Sequence, residues 1–247
     1  VFGKRAASYT TSESHTDPHV LSRVVRLAAP RPGSTALDVA TGTGHTAFAL
    51  APHVNLVVGL DLTPEMLAEA RALRAERRAA NVVFCVADAH TLPFRNASFD
   101  TVTCRRAAHH FADVHQALAE MRRVLRTDGR LVIDDRSVPE DDFVDRFMNH
   151  LDSLHDQSHV RQYRPAEWRA MLELAGFVLD ALEPYVRLRP VTSLTERASP
   201  AAAREIERLV EELDDRQGKA IGLTGPEGER RFNHWYVLVA ARAALSS

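Results

Sequence analysis

The chain has 247 residues, 45% hydrophobic and 26% charged, an ordinary globular composition that excludes a disordered or fibrous class. Its formal net charge of −2 supplies no basic field to gather nucleic acid, and no apolar run is long enough to cross a membrane. The two cysteines, Cys85 and Cys104, sit in apolar runs and are expected as buried thiols, not as a disulfide or a metal site.

Asp17-Pro18 reads as an N-cap with proline at the first helical position, opening a helix to about residue 29. The turn Arg31-Pro32-Gly33 leads into a first buried strand, 35–39. A second strand, 55–60, ends at Asp61, and Thr63-Pro64 opens a helix through about residue 78. A third strand, 82–87, ends at Asp88, and a fourth is expected over 99–104. Val114, Leu118, Met121 and Leu125 have helical spacing and predict an amphipathic helix over 112–126. The turn Asp128-Gly129 then starts a fifth strand, 129–134. Further on, residues 139–155 and 165–175 read as helices, 177–188 and 232–242 as strands, and 201–214 as a helix between those strands. Residues 222–229 read as a surface loop.

Apolar strands between amphipathic helices imply a parallel sheet covered on both faces, with ligands bound outside the carboxyl ends of the strands. Asp38, Asp61, Asp88 and the segment after Cys104 all lie at such ends and are expected to converge on one crevice. Gly42 and Gly44 sit at the first strand-to-helix turn, where glycine lets the backbone bend tightly and approach a ligand. The stretch Gly42-Thr43-Gly44-His45-Thr46-Ala47 fits a relaxed dinucleotide fingerprint, with Asp61 where a ribose-binding acid would sit. A nicotinamide oxidoreductase is therefore one reading.

Three further features shift the weight. Asp38 precedes the turn, giving D-x-x-x-G-x-G. Asp88 opens Asp88-Ala89-His90-Thr91-Leu92-Pro93-Phe94. Phe99-Asp100 leads the fourth strand, and Leu125-Arg126-Thr127-Asp128-Gly129-Arg130-Leu131 leads the fifth. Together these resemble class I S-adenosylmethionine-dependent methyltransferases, in particular the small-molecule group that includes ubiquinone/menaquinone-biosynthesis C-methyltransferases. The resemblance covers roughly residues 9–176 and departs at Ala40, where many members carry glycine, and at Thr127-Asp128-Gly129, where Pro-Gly-Gly is common. It implies a Rossmann-like α/β fold. The sheet would have seven strands, mostly parallel with a reversed last strand, and helices on both faces. It also implies S-adenosyl-L-methionine as cofactor, with S-adenosyl-L-homocysteine as product.

The same resemblance assigns roles. Ala40, Gly42 and Gly44 carry the turn that approaches the methionine part and ribose, and Asp38 reaches the amino end. Asp61 accepts from both ribose hydroxyls, and Asp88 from the adenine amino group beside the Ala89 N–H. Leu62 and Leu92 flank the adenine. The backbone at Arg105 and Arg106 passes the cofactor's amino group, and Tyr9 folds over the site.

On the acceptor side, His109 and His110 follow the fourth strand, where an imidazole is available as a base near neutral pH. A polar group of His155, His159, Arg161 and Tyr163 is a candidate substrate contact, with Arg161 suited to an anion. No metal is expected. The whole of 1–247 reads as one domain, with 1–30 as an N-terminal cover and 137–165 as an inserted substrate cover. The expectation is a cytoplasmic enzyme acting on a small molecule at C, O or N, either monomeric or homodimeric. A cofactor-binding protein repurposed for something other than methylation is the remaining alternative.

Overall fold

The structure, a computed structural model, describes residues 2–196, 198–226 and 228–244. In chain order the elements begin with helices α1 (Ala6–Tyr9), α2 (Glu13–Thr16) and α3 (Pro18–Ala28). Then come β1 (Thr35–Val39), α4 (His45–Leu50), β2 (Leu56–Asp61), α5 (Pro64–Arg77), β3 (Val82–Val86) and β4 (Phe99–Arg105). Next are α6 (Val114–Val124), β5 (Leu125–Ser137), α7 (Asp142–His155), α8 (Pro165–Leu174) and β6 (Phe177–Pro190). Last are α9 (Thr192–Thr195), α10 (Pro200–Glu211), α11 (Asp215–Ala220) and β7 (Arg231–Ala243).

The strands form one seven-stranded sheet in the order β3-β2-β1-β4-β5-β7-β6. The first five pair in parallel, and the last strands run antiparallel. This is the expected mixed sheet, distinct from the all-parallel sheet of a nicotinamide enzyme. The strand order reverses between β1 and β4, which makes their carboxyl ends the switch point where such sheets bind ligands.

By contacts the chain resolves into two compact units. The first comprises Val1–Asp135, Arg169–Leu182 and Leu238–Ser247, and the second Arg136–Trp168 and Glu183–Val237. In the first unit, Ala36, Leu37 and Val39 of β1 are fully buried, as a central strand with both faces covered requires. Helix α3 starts where Asp17 accepts from the His19 and Val20 N–H groups, and it buries Val20, Val24 and Ala28. Helix α6 buries Val114, Ala117, Leu118, Met121 and Val124 on one face. The second unit has its own core, where Met148 and Leu151 of α7 meet Ile206 and Val210 of α10 and Phe232 of β7.

Three expectations need correction. The helix expected over 112–126 stops at Val124, because Leu125 turns extended and pairs with Phe99. Burial of Leu125 in the sheet overrides its helical spacing. The helix expected over 201–214 is present but ends at Glu211, and a further short helix not expected from the sequence, α11, follows from the Asp214 capping box to Gln217. Cys104 is buried as expected, but Cys85 is only partly so, since it lies on the edge strand β3.

Candidate active site

The carboxyl ends of β1, β2 and β4 surround one crevice, open at its mouth. Its floor is the turn after β1. Ala40 leaves the strand with φ +52°, and Gly42 and Gly44 follow at +55° and +89°. A β-carbon on Gly42 would meet nothing within 4 Å, so the backbone there is open to the crevice. One on Gly44 would press Phe48 at 2.9 Å and Phe84 at 3.1 Å, so that glycine is a packing requirement. Alanine in the left-handed region costs about 1–2 kcal/mol, which glycine avoids, though glycine loses about 0.5–1 kcal/mol more chain entropy on folding. Ala40→Gly is therefore expected to stabilise the protein by about 0.5–1 kcal/mol, read as a raised midpoint in thermal unfolding. A lowered midpoint would show that the alanine methyl makes a compensating contact.

Asp38 is buried beneath this turn. It accepts from Thr41 Oγ1 at 2.6 Å and Thr103 Oγ1 at 2.7 Å, the second because β1 and β4 pair Asp38 with Thr103. Burial pushes its carboxyl up to about 6, against the pull of the two hydroxyls and of the Arg105 charge. At the end of β2, Asp61 receives the Gly42 N–H on Oδ2 at 2.8 Å and the Thr63 N–H on Oδ1 at 2.9 Å. Burial raises its carboxyl above the ordinary value, opposed by those two N–H groups and by the Thr63 hydroxyl. Each oxygen keeps a further lone pair for a ligand.

After β3, Asp88 is half-exposed, and the His90 N–H holds its carboxyl below the usual value. Ala89 is buried in the crevice wall, and Leu62 stands exposed at the rim. Leu92, expected beside the adenine, is instead in the core with no place among the residues lining the crevice.

Beyond β4 the chain carries two arginines and two histidines. Arg105 is buried. It donates to Thr46 Oγ1 at 2.9 Å and to the His15 carbonyl at 2.7 Å, tying α2 to α4. Arg106, at φ +57°, forms a buried ion pair with Asp134 at 2.9 Å. Asp135 takes the His109 N–H at 2.8 Å and the ring Nδ1–H at 2.5 Å. The His110 ring lies 3.9 Å from that of His109, centre to centre, and lines the crevice, which His109 does not.

The N-terminal segment supplies the remaining wall. Tyr9 lines the crevice, with its carbonyl held by His45 Nε2 at 3.2 Å. Phe2 packs edge-on to His110, and Tyr9 edge-on to His15. Burial, reinforced by the Arg105 and Arg106 charges, holds His15 well below the usual imidazole value, so its ring is neutral. Phe2, His15, His45, Met66 and Phe111 are lining residues that sequence reasoning missed. His45 lies within the Gly42–Ala47 stretch, whose pattern leaves that position open, and no motif marks the other four.

The four candidate substrate residues lie in the second unit, each with partners there. His155 Nδ1 donates to the Leu194 carbonyl, and His159 Nε2 bonds Asn149 Oδ1. Arg161 pairs with Asp145 at 3.1 Å and Glu167 at 2.9 Å, and its guanidinium lies over the Tyr163 ring. The charge of Arg161 is thus already balanced within its own unit.

Known proteins share this fold. A family model described as a methyltransferase domain matches residues 30–176. The uncharacterised methyltransferase YcgJ of Bacillus subtilis is 37% identical over 204 residues, spanning 83% of this chain and 81% of that protein. Its crystal structure gives a TM-score of 0.87 at 33% identity, covering 92% of this chain and 99% of that one. A putative methyltransferase from Bacillus halodurans also gives 0.87, at 32% identity over 91% of this chain and 99% of that one. A demethylmenaquinone methyltransferase of Thermus thermophilus is 46% identical over 114 residues, 45% of this chain and 51% of that enzyme. With its mixed sheet and strand-end crevice, the chain belongs to the methyltransferase domain family, as an S-adenosylmethionine-dependent methyltransferase.

Proposed function

We propose that the protein transfers a methyl group from S-adenosylmethionine to a small-molecule acceptor at a C, O or N atom. The observation that carries this reading is the convergence of Asp38, Asp61 and Asp88 on one crevice around the open backbone of Gly42. The residues fit the cofactor. Asp61 offers two lone pairs to the ribose hydroxyls, and Asp88 an acceptor to the adenine amino group beside Ala89 and Leu62. Asp38 and the backbone at Arg105 face the amino end. Ala40, Gly42 and Gly44 bring the chain close, and Tyr9 covers the site. The cofactor supplies a carbon activated by its sulfonium, so the protein must position the acceptor and exclude water.

His110 lines the crevice, and His109 is fixed by Asp135 beside it. In this reading one of them takes the acceptor's proton or orients the acceptor by a hydrogen bond. S-adenosylhomocysteine is expected to bind in calorimetry, whereas NAD is not, and small-molecule fractions are to be screened for release of S-adenosylhomocysteine. On the acceptor so found, His109→Ala or His110→Ala is expected to lower turnover by about 10²-fold, with cofactor affinity barely changed. Full turnover in both variants would place catalysis in positioning by the cavity alone.

A further inference from the structure

The residue after Ala89 has a bonding pattern that no cofactor motif requires. His90 gives two hydrogen bonds to a single oxygen of Asp88. Its backbone N–H donates to Oδ1 at 2.9 Å and its ring Nδ1 contacts the same Oδ1 at 2.6 Å. Its other ring nitrogen, Nε2, accepts the backbone N–H of Asp113 at 3.2 Å. A nitrogen that accepts an N–H carries a lone pair, so the proton of the neutral ring is on Nδ1, the atom that faces Asp88. The tautomer is thus set by the N-cap residue of α6.

The rest of this loop is fastened to the same helix. Gln116 Nε2 donates to the His90 carbonyl at 3.1 Å, and Glu120 accepts the Leu92 N–H at 2.7 Å. The His90 ring packs edge-on to Phe111, and both rings line the crevice. The consequence for Asp88 is asymmetric. Oδ1 is engaged by both donors, whereas Oδ2 has no partner among the described residues.

We propose that His90 is a positioning residue for purine recognition: it fixes the Asp88 carboxylate so that Oδ2 alone meets the purine 6-position, which selects an amino group over an oxo group. This rests on the assignment of Asp88 to the adenine edge. A 6-amino group donates to Oδ2. A 6-oxo group presents an acceptor to an acceptor there, and a carboxylate held from two directions has no freedom to turn away from it.

The test compares calorimetric affinities of S-adenosylhomocysteine and of its deaminated analogue S-inosylhomocysteine, using the whole chain. Wild type is expected to favour the adenosyl compound by about 10²-fold. His90→Phe keeps a ring against Phe111 but removes both nitrogens, and is expected to narrow the ratio about tenfold. Asparagine places an amide nitrogen where Nδ1 sits, and glutamine reaches only toward Nε2. His90→Asn is therefore expected to keep most of the ratio, and His90→Gln to lose it. A role in loop stability alone would weaken both ligands equally and leave the ratio unmoved. Asp88→Ala separates the two levels of the argument. If it leaves the ratio at the wild-type value, the adenine assignment falls and the proposal with it. If Asp88→Ala abolishes the ratio while His90→Phe and His90→Gln both retain it, the proposal alone is overturned. Should His90→Phe fail to fold, the Asn/Gln contrast decides in the same way.

Discussion

Asp61→Ala is expected to weaken S-adenosylhomocysteine binding by about 10²- to 10⁴-fold. Two hydroxyl-to-carboxylate bonds at about 1.5–3 kcal/mol each give that range. The structure adds a second contribution. Asp61 also accepts the Gly42 and Thr63 N–H groups, so it holds the turn after β1 and the start of α5 in place. Alanine leaves both N–H groups to water and loosens the floor of the crevice. Asp61→Asn separates these effects, because its amide oxygen still accepts one N–H while its NH₂ opposes the other. The asparagine variant is expected to fold normally and bind weakly. Calorimetry together with a thermal melt gives both readings. Near-wild-type affinity in a folded alanine variant would remove the ribose assignment.

The parts of this site that were legible in the sequence are those that backbone periodicity dictates. Strand-end acids are readable because a parallel sheet sends every carboxyl end to the same side, so Asp38, Asp61 and Asp88 converge despite their separation in the chain. The glycines are readable because glycine enters the left-handed turn without the steric cost that Ala40 bears there. What was not legible depends on partners far away in sequence. His15 carries no spacing signal and reaches the crevice where Arg105 ties the N-terminal segment down, whereas His45 opens α4 directly after Gly44 and holds the Tyr9 carbonyl. Leu62 and Leu92 follow equivalent strand-end acids by one and four residues, yet one is at the rim and the other in the core. Glu120 and Arg123 of α6 decide the second case by gripping the Leu92 backbone. Arg161 was attractive as a free cation in the sequence, but the acids that neutralise it, Asp145 and Glu167, are placed beside it only by folding.

Asp38→Asn is expected to make the protein more stable above neutral pH and a poorer cofactor binder at the same time. Burial outweighs the two threonine hydroxyls, the Arg105 charge and the Ala47 N–H, and raises the Asp38 carboxyl from 3.8 to about 6. At 1.36 kcal/mol per pKa unit, its ionisation costs the folded state about 3 kcal/mol. A raised carboxyl binds its proton more tightly in the folded chain than in the unfolded one. Its contribution to stability is therefore fully present below about pH 4 and is lost as the pH rises through about 6. Asparagine never ionises and still serves both threonines, accepting from one hydroxyl and donating to the other. Thermal melts are expected to show the variant more stable by up to about 3 kcal/mol at pH 7.5, or roughly 2–4 °C per kcal/mol, and no more stable at pH 4. An equal difference at both pH values would show that Asp38 does not titrate in this range. The cofactor side follows from the same charge. An ammonium group brought beside Asp38 favours its ionised form, so binding near pH 6 is expected to release protons in wild type and not in the variant. Calorimetry in buffers of different ionisation enthalpy measures that release. The buried carboxylate is unfavourable for the fold at working pH, a cost that an ammonium group bound beside it would offset.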